Sequence, residues 1–221
     1  MNILRKFFGR RVALVGPIAL SLGLPGTIAA VPQSALAQGA TDLSRAVTAL
    51  RAIMTMKADF VQTDRNGQRV SGVMTLKQPG RIRFQYQRGV PLLIVSDGKA
   101  LTMIDYEVRQ VQRWPIGNSP LGALLDPKRD VAKFGRVMPT ANPQVVSIQV
   151  KDPRRPEYGV ITMIFQQDAG APGGMELVSW VALDSQNKRT TVRLSNHVYG
   201  LKVPDRAFAW KDPRGGPSPR R

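Results

Sequence analysis

Between residues 41 and 54 the apolar positions Leu43, Ala46, Val47, Leu50, Ile53 and Met54 recur every three or four residues. That spacing predicts one amphipathic helix over Asp42 to Met54, with Thr41 or Asp42 as its N-cap. From Lys57 the period falls to two. "KADFVQTDRNGQRVSGVMTLKQPGRIRFQYQ" reads as three strands. Asn66-Gly67 turns the first hairpin, because both residues tolerate positive φ, and "QPG" turns the second. In "RIRFQYQ", Ile82, Phe84 and Tyr86 share one face, and Arg81, Arg83, Gln85 and Gln87 share the other. "PLLIVS" and "ALTMIDY" flank Asp97-Gly98-Lys99, a further hairpin turn, and "EVRQVQRW" continues the meander.

The alternation breaks at "PIGNSPLGALLDPKRDVAKF". Asn118 or Ser119 can start a helix with Pro120 in its first turn. Leu121, Leu124 and Leu125 fall on one side of it, and a second short helix runs to Phe134. Strand patterning resumes in "VVSIQV", "YGVITMIFQQ", "MELVSWVALDSQ" and "RTTVRLSNHVYG". The expected fold is α+β and mainly β: an antiparallel sheet of about ten strands that curls into a barrel or half-barrel to limit its edges. One N-terminal helix and the mid-chain helical insert cover its mouth.

The segment before the first helix is a targeting signal. Arg5, Lys6, Arg10 and Arg11 precede an apolar run, and "SALAQ" offers Ala35 and Ala37 to a signal peptidase. The expectation is a secretory signal over residues 1–37, cut between Ala37 and Gln38, and a periplasmic mature protein. The alternative is an uncleaved anchor. The Arg10-Arg11 pair resembles a twin-arginine signal, but the residues after it favour the general secretory route. Residues 38–210 are read as one domain, and 211–221 as a basic, disordered tail.

The formal charge is +17, with 32 Lys and Arg against 15 Asp and Glu. Outside the cytoplasm nucleic acid is scarce, so the charge points to anionic lipid or an acidic partner, or serves solvation alone. No cysteine is present. That removes thiol nucleophiles, thiolate metal ligands and a cysteine-linked lipid anchor.

Catalytic chemistry is not legible. His197 is the only histidine, and a lone histidine at a strand end is read as structural. Asp97 and Asp105 flank a hairpin and are read as turn chemistry rather than an acid/base pair. No nucleophile elbow, phosphate loop or dinucleotide fingerprint occurs. No enzyme, metal or cofactor is expected. What remains is apolar surface: strand faces with Phe84, Tyr86, Leu93, Met103, Met163, Phe165 and Trp180. A curled sheet under a helix encloses a volume that is either packed solid or partly open to a ligand.

Together, "MKADFVQT", "GVMTLKQPGRIRFQY", "LIVSDGKALTMIDYEVRQV", "GNSPLGALL" and "LDSQNKRTTVRLSNHVYG" resemble, in this order, the LolA family of periplasmic outer-membrane lipoprotein carriers. The resemblance runs from about Asp42 to Trp210. It implies an unclosed antiparallel β-barrel lidded by helices, with a hydrophobic cavity for the acyl chains of lipoproteins. It implies a monomer that takes cargo from an inner-membrane lipoprotein-releasing ABC transporter and passes it to an outer-membrane acceptor, and binds no nucleic acid. The lack of cysteine favours the soluble shuttle over an anchored acceptor of the same fold. On this likeness Leu50, Ile53, Met54, Phe84, Tyr86, Leu93, Met103, Met163, Phe165 and Trp180 line the acyl-chain cavity, and Leu121, Leu124 and Leu125 belong to the lid. Family members commonly carry Lys-Arg-Pro where this chain has Lys77-Gln78-Pro79, and the arginine there latches the lid. The latch here falls to Gln78, to Arg81 or to Arg83, or gating differs. The alternatives to a carrier are a lipid- or lipopeptide-sensing module of the same fold, and a polyanion-binding protein with a filled barrel.

Overall fold

The computed structural model describes residues 33–126 and 129–215. The described residues begin with helix α1 (Gln33–Ala52). Six strands follow: β1 (Thr55–Thr63), β2 (Arg69–Lys77), β3 (Arg81–Tyr86), β4 (Leu92–Ser96), β5 (Ala100–Asp105) and β6 (Gln110–Pro115). Next comes an insert with a short 3-10 turn (Ile116–Asn118), α2 (Gly122–Leu125) and α3 (Val131–Phe134). Five strands complete the fold: β7 (Gly135–Met138), β8 (Val145–Lys151), β9 (Val160–Gln167), β10 (Met175–Leu183) and β11 (Arg189–Tyr199). A final 3-10 turn covers Asp205–Phe208.

The described strands form one 11-stranded sheet in the order β6-β5-β4-β3-β2-β1-β11-β10-β9-β8-β7. Every neighbouring pair is antiparallel. The sheet is not closed: β6 and β7 are its two edges. Strands adjacent in sequence pair as hairpins, except β6 and β7 at the two edges, and β1 pairs with β11 to join the two halves. The predicted turns hold. Gly67 and Gly98 adopt φ of 81° and 96°, a region open to glycine without a Cβ clash. The Asp97 carboxylate accepts hydrogen bonds from the amides of Lys99 and Ala100 at 2.8 and 2.9 Å, which fixes the β4–β5 turn.

The structure differs from the expected elements in three places. Helix α1 starts at Gln33 rather than Asp42, because Gln33–Ala40 is rich in alanine and other helix formers. It stops at Ala52, so Ile53 and Met54 lie beyond it. The short strand β7 is one more than the pattern suggested, since "GRVM" is too brief to show a period. The expected signal segment falls outside the described residues up to residue 32. Of the segment read as a tail, the described residues reach Gly215 and hold a turn in which the Arg214 guanidinium bonds the Asp212 carboxylate at 3.0 and 2.7 Å; residues 216–221 lie outside the described residues.

Alternation gives the sheet two unlike faces. On the face covered by helices, β1 contributes Met56, Ala58 and Phe60, β3 contributes Ile82, Phe84 and Tyr86, and β9 and β10 contribute Met163, Phe165 and Trp180. Phe60 lies edge-on to both Phe84 and Tyr86 with centroids 5.2 Å apart, a geometry worth about 0.5–1.5 kcal/mol per pair beyond burial. Gly72 makes this possible. It pairs with Phe60 on β1 and Tyr86 on β3, and a Cβ there would stand 2.8 Å from the Phe60 ring. On the opposite face a smaller cluster joins Leu93, Val95 and Ile104 to Phe208, with Val111, Val203, Ala207 and Trp210 around it. The segment after β11 therefore straps the outer side of β3–β6.

Candidate functional site

The insert follows from the topology. Residues 116–134 connect β6 to β7, the two edges of the open sheet. The chain between them must cross from one edge to the other, and its apolar residues bury against the inner face. Ile116, Ala123, Leu124, Leu125 and Val131 are buried in the same cluster as Phe60, Phe84 and Trp180. Helix α1 adds Ala46, Ala49 and Leu50, and Ile53 follows just past its end. The result is an apolar layer between a sheet floor and a helical cover. Trp180, Phe60, Phe165, Leu50 and Ile53 are among its largest side chains, each under 2% exposed. The cover packs directly on the floor.

Of the residues expected to line a cavity, Leu50, Ile53, Phe84, Tyr86, Met163, Phe165 and Trp180 come together here. Leu124 and Leu125 join them from α2, and Leu121 packs half-buried against the cluster. Two expectations are corrected. Met54 is 62% exposed, because the helix ends before it and its side chain leaves the apolar stripe. Leu93 lies on the outer face beneath Phe208, because it pairs with Ile104 while its neighbour Ile94 pairs with Phe84 and Met103. Met103 shares the inner register of Phe84 and Ile94 but is only half-buried and stands outside the cluster.

The three latch candidates separate in the same way. Gln78 follows β2 at a turn where the Gln78–Pro79 peptide is cis. Its Nε2 donates to the carbonyl of Leu124 on α2 at 3.1 Å, and its Oε1 accepts from the amide of Gly80 at 3.2 Å. Among the described residues neither Arg81 nor Arg83 bonds to the insert. With Ile82 and Phe84 facing inward, they point outward to the strap. Arg81 pairs with Asp205 at 2.6 Å. Arg83 donates to the carbonyls of Ala207 and Ala209 at 3.4 and 2.9 Å. Lys77 joins them, bonding the Val203 carbonyl and Asp205 at 2.8 Å each. A cleft of about 380 Å³ lies at this end, lined by Lys77, Gln78, Arg81, Lys99 and Asp205 among others.

Polar groups elsewhere are structural. Tyr86 donates its hydroxyl to Gln62 Oε1 at 2.8 Å, and burial pushes its phenol well above the ordinary range. His197 sits between Glu176 Oε1 and the Leu177 carbonyl, each 3.0 Å from a ring nitrogen. Partial burial raises the Asp97 carboxyl, but the amides of Ala100 and Lys99 and the Arg113 guanidinium outweigh it and hold it below the usual range. Asp105 accepts from the amides of Glu107 and Val108. Asp97 and Asp105 are thus both engaged in turns. Among the described residues no group of three or more His, Cys, Asp or Glu could hold a metal.

Sequence reasoning missed Phe60, Met56 and Met74, which strand alternation could have supplied. It also missed Arg129, for which the sequence carries no signal. Arg129 is 8% exposed in the insert, with Nη1 donating to the Gly117 carbonyl at 3.0 Å and the guanidinium 4.1 Å from the centre of the Tyr158 ring.

A family profile described as outer membrane lipoprotein carrier protein LolA matches residues 51–211. An outer-membrane lipoprotein carrier protein from Bordetella avium is 28% identical over 197 residues, covering 85% of this chain and 90% of that protein. One from Chromobacterium violaceum is 28% identical over 170 residues, covering 73% and 79%. The crystal structure of a LolA superfamily protein from Nitrosomonas europaea shares 11% identity and a TM-score of 0.43, covering 78% of this chain and 98% of that one. The profile takes in the whole sheet, the insert and the strap, and on that extent the chain belongs to the outer membrane lipoprotein carrier protein LolA family.

Proposed function

We propose that this chain is a periplasmic carrier that holds the acyl chains of lipoproteins between the inner face of its sheet and the helical cover. It receives them from an inner-membrane ABC transporter and yields them to an outer-membrane acceptor. The observation that supports this most is the form of the apolar layer: a continuous aromatic and aliphatic floor, closed by a short insert rather than by more sheet.

The magnitudes suit a reversible carrier. Lifting the insert exposes Ile116, Leu121, Leu124, Leu125 and Val131, which costs at most roughly 10 kcal/mol. An acyl chain of about fifteen methylenes, at about 0.8 kcal/mol each, recovers a similar amount when it takes their place. Cover and cargo then compete for the same floor with nearly equal strength. A modest preference at the donor or acceptor suffices to load or unload. No helix among the described residues is long and apolar enough to cross a membrane, and the role needs none.

The test is to purify the chain from the periplasm of a Gram-negative host and mix it with a triacylated lipoprotein or its unacylated form. Gel filtration should show a soluble complex with the acylated cargo only. Complex formation with neither cargo, or equally with both, would refute the acyl-chain site. Recovery of the chain only from the cytoplasm would refute the location.

A further inference from the structure

Among the described residues, Ile116 at the foot of the insert donates its amide to the Lys99 carbonyl at 3.1 Å, and two further polar contacts, of unlike strength, tie the insert to the rest of the molecule. At α2 one contact is a neutral hydrogen bond from Gln78 to the Leu124 carbonyl. At the other end of the insert is Arg129. Its Nη1 donates to the Gly117 carbonyl, ahead of α2, at 3.0 Å. Its guanidinium lies over Tyr158 in the β8–β9 loop, 4.1 Å from the ring centre. Its own carbonyl accepts Nη2 of Arg51, from the last turn of α1, at 2.7 Å. Gly122, which opens α2, packs so closely that a Cβ there would stand 3.2 Å from Arg129 Nη1. One residue therefore ties the start of the insert, its middle, α1 and the sheet loop together.

A guanidinium is expensive to bury unless its directional contacts are met. This one is 8% exposed, and its Nε has no hydrogen-bond partner among the described residues. Such a group is poor general glue, but its planar fork and flat face specify geometry. Once the insert lifts, the charge is hydrated again. Its contacts therefore hold the closed insert in one geometry, and hydration of the freed charge keeps the opening reversible.

We propose that Arg129 is the positioning residue of the cover: its side chain clamps the insert to Tyr158, beside the backbone tie of its carbonyl to Arg51 of α1, sets the closed state, and outweighs Gln78 in doing so. The proposal rests on the reading that the insert opens.

Amide hydrogen exchange on the full chain tests it. The amides of Leu124, Leu125 and Asp126, bonded to Leu121 and Gly122 within the insert, report opening. The amides of β1 paired with β2 and β11 report global unfolding. In Arg129→Met the insert amides should exchange at least tenfold faster while those of β1 keep their rates. Arg129→Lys should fall between wild type and Arg129→Met, because lysine retains the charge but not the flat face. Gln78→Leu should have a smaller effect than Arg129→Met. If Arg129→Met does not fold, Tyr158→Leu carries the test with the same expected pattern. Unchanged insert amides, equal acceleration in sheet and insert, or a larger effect from Gln78→Leu would each overturn the clamp. Binding of a fluorescent sixteen-carbon fatty acid is measured in parallel. Faster insert exchange with no binding in any variant would uphold the clamp and count against the acyl-chain reading instead.

Discussion

Leu93 and Ile94 are adjacent and of similar size, yet the structure assigns them to opposite faces of β4. Leu93 is 2% exposed beneath Phe208, on the strap side. Ile94 is half-buried beside the inner cluster, in register with Phe84. Alanine at each should therefore do different things. Leu93→Ala removes a fully buried side chain from a packed cluster and should cost about 2–4 kcal/mol of unfolding free energy. Ile94→Ala empties a site that is not sealed and should cost about 1 kcal/mol. Acyl binding should rank the other way. Ile94 offers about two methylenes' worth of contact to a chain on the floor, so its loss should weaken affinity about fivefold to thirtyfold, or 1–2 kcal/mol. Leu93→Ala should leave affinity within about twofold. Urea denaturation followed by circular dichroism gives the first ranking, and titration with a fluorescent acylated peptide gives the second. A single ranking in both assays would refute the two-face assignment. Loss of affinity in Leu93→Ala alone would mean that the strap side, not the insert side, receives cargo.

Gly72→Ala should cost about 1–3 kcal/mol, because the new methyl meets the Phe60 ring and the Gln85 carbonyl; a thermal melt lowered by less than a degree would show that the aromatic trio does not depend on the gap. Hydrogen bonds from Lys77 and Arg81 hold the Asp205 carboxyl below its ordinary range. A depressed folded pKa stabilises above the unfolded value and is lost as pH falls through the folded one. The strap should therefore stay pinned from pH 5 to 8 and loosen below about pH 4. Trp210 emission in a Trp114→Phe, Trp180→Phe background should report this, and Asp205→Asn should abolish the acid transition. Tyr86→Phe keeps the ring but loses the bond to Gln62, for about 0.5–1.5 kcal/mol by urea denaturation; a larger loss would mean the hydroxyl does more than anchor the strand end.

Strand periodicity carried most of the fold into the sequence. Ile82, Phe84 and Tyr86 alternate so cleanly with Arg81, Arg83 and Gln85 that the inner face of β3 could be read directly. The same alternation held an unused argument against Arg81 and Arg83, which the sequence reading kept as latch candidates: both lie on the outer parity, away from the inner cover. Strand β4 resisted for a physical reason. Both of its faces are apolar, one under the insert and one under the strap, so "LLIVS" has no period to read. The strap was invisible because "VPDRAFAW" shows neither helical nor strand spacing and is held by backbone carbonyls bonding Lys77 and Arg83. Arg129 lay beyond reach because a buried arginine in a loop looks like any surface arginine until its partners from Gly117 and Tyr158 converge on it.

The attachment of the insert to both edge strands has a mechanical consequence. A flap hinged at one end swings a free tip through a wide arc; a span fixed at both ends behaves as a bucket handle. It can tilt about the line between its two feet, and it transmits any spreading of those feet into its own height. Pulling β6 and β7 apart flattens the span and pressing them together arches it, so an agent gripping only the rim of the sheet could raise or lower the cover without touching it. A single backbone cut within 116–134 would turn the handle into two loose flaps and abolish that transmission while leaving the ladder of strands intact.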